Sequence, residues 1–153
     1  MEKAQIYETV QKEIAAVIDG EANITARMVT IICLLHQAFD DYFWTGFYLV
    51  DPERSGELVI GPYQGTLGCL RIPFGKGVCG AAAARCETVI VQDVHAFPGH
   101  IACDSRSESE IVVPVFDTSG SLFAVLDVDA TRLSAFDEVD QSYLEQICAK
   151  VFA

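Results

Sequence analysis

Apolar residues recur every three to four positions at the start of the chain. Ile6, Val10, Ile14, Val17 and Ile18 mark one stripe, which predicts a helix over Lys3–Ile18 ended by Asp19-Gly20. Met28, Ile31, Ile32, Leu35 and Phe39 predict a second, more apolar helix over Ile24–Phe39. The pattern then changes to strands. Phe43–Val50 is rich in β-formers, Asp51–Gly56 reads as a turn, and Glu57–Gly61 returns, so these make a hairpin. Cys69–Ile72 is a third short strand, and Gly77–Cys86 a small helix packed closely through its alanines. Thr88–Val91 is a buried strand, followed by a long polar loop over Asp93–Ser109. Ile111–Phe116 and Leu122–Asp129 flank Asp117–Gly120 as a second hairpin. Ser134–Phe152 closes the chain as a helix, with Ser134 and Asp137 placed to satisfy first-turn amides.

This order predicts one α+β domain over residues 1–153, with a mostly antiparallel sheet. Helices pack on one face and the cysteine-bearing loops cover the other, which puts a ligand pocket between loops and sheet. Strand alternation places Asp127 and Asp129 on the same side, with Leu126, Val128 and Ala130 facing the helices. Two readings of those acids stay open. They line a solvated outer face, or they line the pocket, where unpaired burial is costly unless a cationic group offsets it. Phe43, Trp44, Phe47 and Tyr48 occupy both faces of their strand, so one side contributes aromatic surface to the pocket.

Composition narrows the function classes. The chain of 153 residues is 51% apolar, enough for one full core. The net charge of −12 argues against nucleic acid and anionic membrane as partners. The N-terminus lacks the order of a secretory signal, and no apolar run is long enough to span a membrane, so a cytoplasmic location is expected. In such a reducing compartment the 6 cysteines do not read as a disulfide framework. The spacings Cys69 to Cys79 and Cys79 to Cys86 are too wide for the usual zinc pairs, so neither metal nor cofactor is expected. Thiol chemistry remains. Cys103 lies in the polar stretch His100–Glu110, and Cys69 and Cys79 lie in a Gly-rich stretch. Cys33 reads instead as a core residue, and His36 as a helical polar residue rather than a ligand.

The order of elements is similar to that of a GAF domain. The segments Phe43–Leu49, Gly61–Gly65, Cys69–Gly80 and Ser107–Val115, with Leu126–Ala130, resemble the free methionine-(R)-sulfoxide reductases. The resemblance implies Cys103 as the nucleophile, Cys69 as the resolving thiol and Cys79 as an assisting one. It implies Trp44, Glu110, Asp127 and Asp129 as the substrate-holding residues. A thioredoxin-type reductant and a homodimer are further implications, and Cys33, Cys86 and Cys148 receive no role. The expected chemistry is thiolate attack on the sulfoxide sulfur, a sulfenic acid, and a disulfide. Arg106 and His100 lie near Cys103 in sequence and are candidates for activating it. Two rivals differ in class: a GAF module that senses a small ligand without turning it over, and a thiol-based oxidant sensor. No attached effector domain is expected, since the sequence ends with the domain, and the expected acidic pocket repels phosphate; both weigh against the first.

Overall fold

The N-terminal stripe forms α1 (Lys3–Ile18), which buries Tyr7, Val10, Ile14 and Ile18. It stops where Gly20 takes φ +76°, a conformation that costs glycine little. The computed structural model describes residues 1–100 and 104–153. α2 (Ile24–Ala38) starts at Asn23, whose side chain accepts from the Ala26 amide at 2.9 Å. The strands are β1 (Trp44–Val50), β2 (Glu57–Gln64), β3 (Arg71–Pro73), β4 (Val89–Val91), β5 (Ser109–Phe116) and β6 (Leu122–Ala130). α3 (Gly77–Arg85) lies between β3 and β4, and α4 (Glu138–Ala149) follows β6. The described strands form one antiparallel sheet in the order β3-β2-β1-β6-β5-β4. This is the expected α+β class.

Alternation divides the sheet into two faces. Phe47, Ile111, Val113, Leu126 and Val128 pack with α1, α2 and α4 in one core. Trp44, Tyr48, Val112 and Val125 belong to a second core with Val78, Cys79, Ala82 and Ala83 of α3. α3 therefore joins the loops on the site face. Its row of alanines allows it to lie close to the sheet.

Several boundaries differ from expectation, each for a physical reason. β2 runs on through Gly61-Pro62 to Gln64. Its pairing with β1 is irregular between Gly46 and Tyr48, and β3 pairs only with Glu57–Val59. Pro62 thus falls where no regular ladder bond is lost. β5 begins at Ser109 because the buried Ser109 hydroxyl donates to the Arg132 carbonyl and accepts from the Ala135 amide. α4 begins four residues later than the Ser134 reading. Ser134 takes φ +53°, and its amide donates to the Gln92 carbonyl. Asp137 alone is the cap, accepting from the Val139 and Asp140 amides. Cys33 is half-buried on α2 and accepts from Gln37 Nε2, so it is not a core residue. No helix among the described residues is long and apolar enough to cross a membrane.

Candidate active site

The sheet register sets out the site. Asp129 of β6 pairs with Trp44 of β1 on one side and with Glu110 of β5 on the other. The next same-face position on β6 is Asp127, paired with Gly46 and Val112. Trp44, Glu110, Asp127 and Asp129 therefore share one face within three adjacent strands. α3 covers them with Cys79. Together these residues line a cavity of about 50 Å³ that Gly68, Thr66 and His100 also border.

Gly46 is what allows the indole to lie flat on the sheet. A Cβ there would sit 2.5 Å from Trp44 Cη2 and 2.4 Å from Tyr63 Cβ. Trp44 stacks on Tyr63 and Tyr48, with ring centroids 5.1 and 5.8 Å away. Its Nε1 donates to the Thr66 carbonyl at 2.8 Å. Gly68 borders the other edge, where a Cβ would meet Trp44 Cζ2 at 2.9 Å. Sequence reasoning missed Gly46 and Gly68 as site residues. For Gly46 the available signal was an isolated glycine inside an aromatic strand, which marks close approach of another group.

Burial governs the acids. Glu110 and Asp127 are 5% and 6% exposed. Burial, and after it the Asp129 charge, pushes Glu110 up to about 8. Burial and the Glu110 charge raise Asp127 well above the carboxylate range, and burial and Asp127 do the same to Asp129. Asp127 Oδ1 is buried with no hydrogen-bond partner among the described residues. The Cys79 thiol lies against Asp127 and Glu110, and burial followed by the Asp127 charge pushes it up. His100 Nε2 stands 3.7 Å from Glu110 Oε1, and burial lowers its pKa, which favours neutral imidazole.

A raised carboxyl pKa is also a stability statement. Native Glu110 keeps a proton that the unfolded chain releases from about pH 4.5, so stability falls as pH rises until about pH 8. Glu110→Gln mimics the protonated form. At about pH 8 it is expected to be more stable than the parent by a few kcal/mol, and at about pH 5 by less than 1 kcal/mol. Urea unfolding at the two pH values measures this, and an equal difference at both would contradict it.

A second set of contacts joins the loops. Thr66 Oγ1, between β2 and β3, donates to Asp104 Oδ2 at 2.9 Å. Arg106 donates to both Asp104 oxygens and lies 4.9 Å from the Phe43 ring centroid. The guanidinium holds Asp104 well below the usual carboxylate range. Arg106 is thus committed to Asp104 and the Phe43 ring. Cys69 is disulfide-bonded and half-buried beside Gly68. Cys103 lies outside the described residues. Cys86 is exposed and Cys148 buried on the opposite core, both away from the cavity. His36 Nδ1 lies 2.9 Å from Thr45 Oγ1, on the far side of β1.

Comparison with known proteins agrees with this geometry. The sequence profile of the GAF domain matches residues 27–151. GAF domain-containing protein A of Dictyostelium discoideum is 47% identical, over 95% of this chain and 89% of that protein. Free methionine-R-sulfoxide reductase of Escherichia coli is 39% identical, over 99% of this chain and 89% of that one. Among solved structures, free methionine-R-sulfoxide reductase from Neisseria meningitidis in complex with its substrate superposes with a TM-score of 0.92. It is 48% identical, covering 99% of this chain and 88% of that one. The buried acids beside a stacked indole, the Cys79 thiol on the same face and these relatives agree: the chain belongs to the free methionine-R-sulfoxide reductase family of GAF domains.

Proposed function

We propose that this chain reduces free L-methionine (R)-S-oxide to L-methionine. The observation that carries the reading is the buried Asp127 Oδ1, an acceptor with no partner among the described residues, in an acid-lined cavity under Trp44. Such an acceptor is costly unless a ligand donates to it. The α-ammonium of a free amino acid brings both the donors and the opposite charge. The Trp44 ring offers the apolar surface and the sulfur–aromatic contact suited to the other end of the substrate.

In the proposed reaction the Cys103 thiolate attacks the sulfoxide sulfur. The oxygen, protonated, passes to the Cys103 sulfur: the substrate S–O bond and the transient S–S bond break as the Cys103 S–O bond forms, which leaves a sulfenic acid on Cys103 and releases methionine. Glu110, protonated at neutral pH, is suited to give the sulfoxide oxygen its proton. Cys69 then displaces water from the sulfenic acid to form a Cys69–Cys103 disulfide, with Cys79 the assisting thiol. Two observations support that pairing: Cys69 is disulfide-bonded, and the Thr66–Asp104 bond ties its loop to the residue after Cys103. Thioredoxin returns both thiols, in a homodimer or a monomer alike.

The test is a thioredoxin-coupled assay on separate R and S epimers, and on the N-acetyl, C-amide form of the R epimer. Turnover of the free R epimer is expected. Blocking the ammonium removes the charge and the donors that the buried acids would pair with, so efficiency should fall by at least about 100-fold. Equal efficiency on the blocked form would mean that the acids do not recognise the ammonium. A protein that consumes reductant with peroxide alone is a sensor and not this enzyme.

A further inference from the structure

Sequence spacing argues against zinc because it sees only ligands close along the chain. The fold brings three donors together from three elements: Cys79 of α3, Glu110 of β5 and Asp127 of β6. All three are buried, and their donor atoms lie within 4.8 Å of one another. A tetrahedral zinc with bonds of about 2.0–2.3 Å sets its donors roughly 3.3–3.8 Å apart, so a small contraction suffices. Asp127 Oδ1 supplies the second observation. It is a buried acceptor without a hydrogen-bond partner among the described residues, on the cavity wall. His100 Nε2, 3.7 Å from Glu110 Oε1, offers a further borderline donor at the tetrahedral edge length.

We propose that Cys79, Glu110 and Asp127 form a zinc-binding site in the floor of the cavity, and that zinc held there competes with the amino-acid substrate. The donor set selects the metal. A thiolate with carboxylates suits zinc, whereas calcium and magnesium require oxygen donors throughout. On binding, the Cys79 thiol and the protonated Glu110 and Asp127 carboxyls give their protons to solvent, and S–Zn and O–Zn bonds replace the S–H and O–H bonds. The cavity side of the metal stays open, to water or to His100. The metal occupies the position that the substrate ammonium takes in the reading above. The competition therefore rests on that reading, while the binding rests on the cluster alone.

Co²⁺ serves as the spectroscopic probe and Zn²⁺ as the competitor. Cys33 and Cys86 are first replaced by serine, which removes the half-buried and exposed thiols from the background. With the Cys69 disulfide left intact, Co²⁺ is expected to raise a thiolate-to-cobalt charge-transfer band that near-stoichiometric Zn²⁺ removes. Cys79→Ser should abolish the band. Asp127→Asn and Glu110→Gln keep the side-chain shape, and each should weaken Zn²⁺ binding by more than about 100-fold against a chromophoric chelator. Near-UV circular dichroism of each variant separates loss of a ligand from loss of the fold. Absence of the band, its survival in Cys79→Ser, or unchanged Zn²⁺ affinity in both folded carboxylate variants overturns the site. Free methionine sulfoxide should bleach the band. If the band persists with substrate yet is abolished by Cys79→Ser, the metal site stands and the substrate reading fails.

Discussion

Cys103→Ser is expected to lower reduction of free methionine-(R)-sulfoxide by about 10³-fold or more. A serine hydroxyl is a far weaker nucleophile than a thiolate at neutral pH, and the other thiols are poorly placed to replace it. Burial and neighbouring acids keep Cys79 protonated. Cys148 is buried in the opposite core, and Cys86 lies away from the cavity. Single-turnover release of methionine is the measurement, because it does not depend on recycling. Cys69→Ser provides the contrast: it should release about one equivalent per site and then stall with thioredoxin. One equivalent from Cys103→Ser itself would move the nucleophile to another cysteine.

Arg27→Met should cost about 3–5 kcal/mol of stability and lower the melting temperature by roughly 10 °C. Arg27 is 8% exposed and spends every guanidinium N–H on a carbonyl. Its Nη1 donates to Ile18 and Glu21 at the end of α1, and its Nε and Nη2 donate to Val151, Lys150 and Ala153 after α4. One side chain thus satisfies orphan carbonyls of two helices and pins their ends together. Methionine fills the volume but takes the side-chain donor from all five carbonyls, of which Ile18 keeps the Glu21 amide. Lysine should not restore the loss, since a point charge with three donors cannot reproduce the planar fork. Arg27 sits on the helix side of the sheet, so activity per folded molecule should be unchanged at 25 °C. A melting temperature within about 2 °C of the parent would refute this account.

A comparable network anchors the other end of the same helix layer. Lys3 Nζ donates to Asp140 Oδ2, Tyr7 OH donates to Asp140 Oδ1, and Tyr42 OH donates to Tyr7. Asp140 is buried, and its second role is to accept from the Asp137 amide at the start of α4.

Local patterning was sufficient for the elements themselves. The stripe of α1 needed only a period of 3.6, and its end needed only a glycine able to take φ +76°. The shared face of Asp127 and Asp129, and the opposite face of Leu126 and Val128, followed from a period of two. The candidate site residues stood out because acids on an apolar strand and cysteines in polar or Gly-rich loops break the surrounding pattern. Tertiary structure decided the rest, because those features depend on partners far apart along the chain. Nothing near Ser109 or Glu110 in sequence marks them as strand; they are buried because Arg132, Ala135 and Asp129 meet them across the sheet. Arg27 reads locally as one more exposed helical cation, yet its carbonyl partners lie up to 126 positions away. Whether Asp127 and Asp129 met water or a closed cavity depended on α3 and the Thr66 loop folding over them. The desolvation that results is what raises Glu110 to about 8, and among the described residues Asp127 Oδ1 is buried there without a donor.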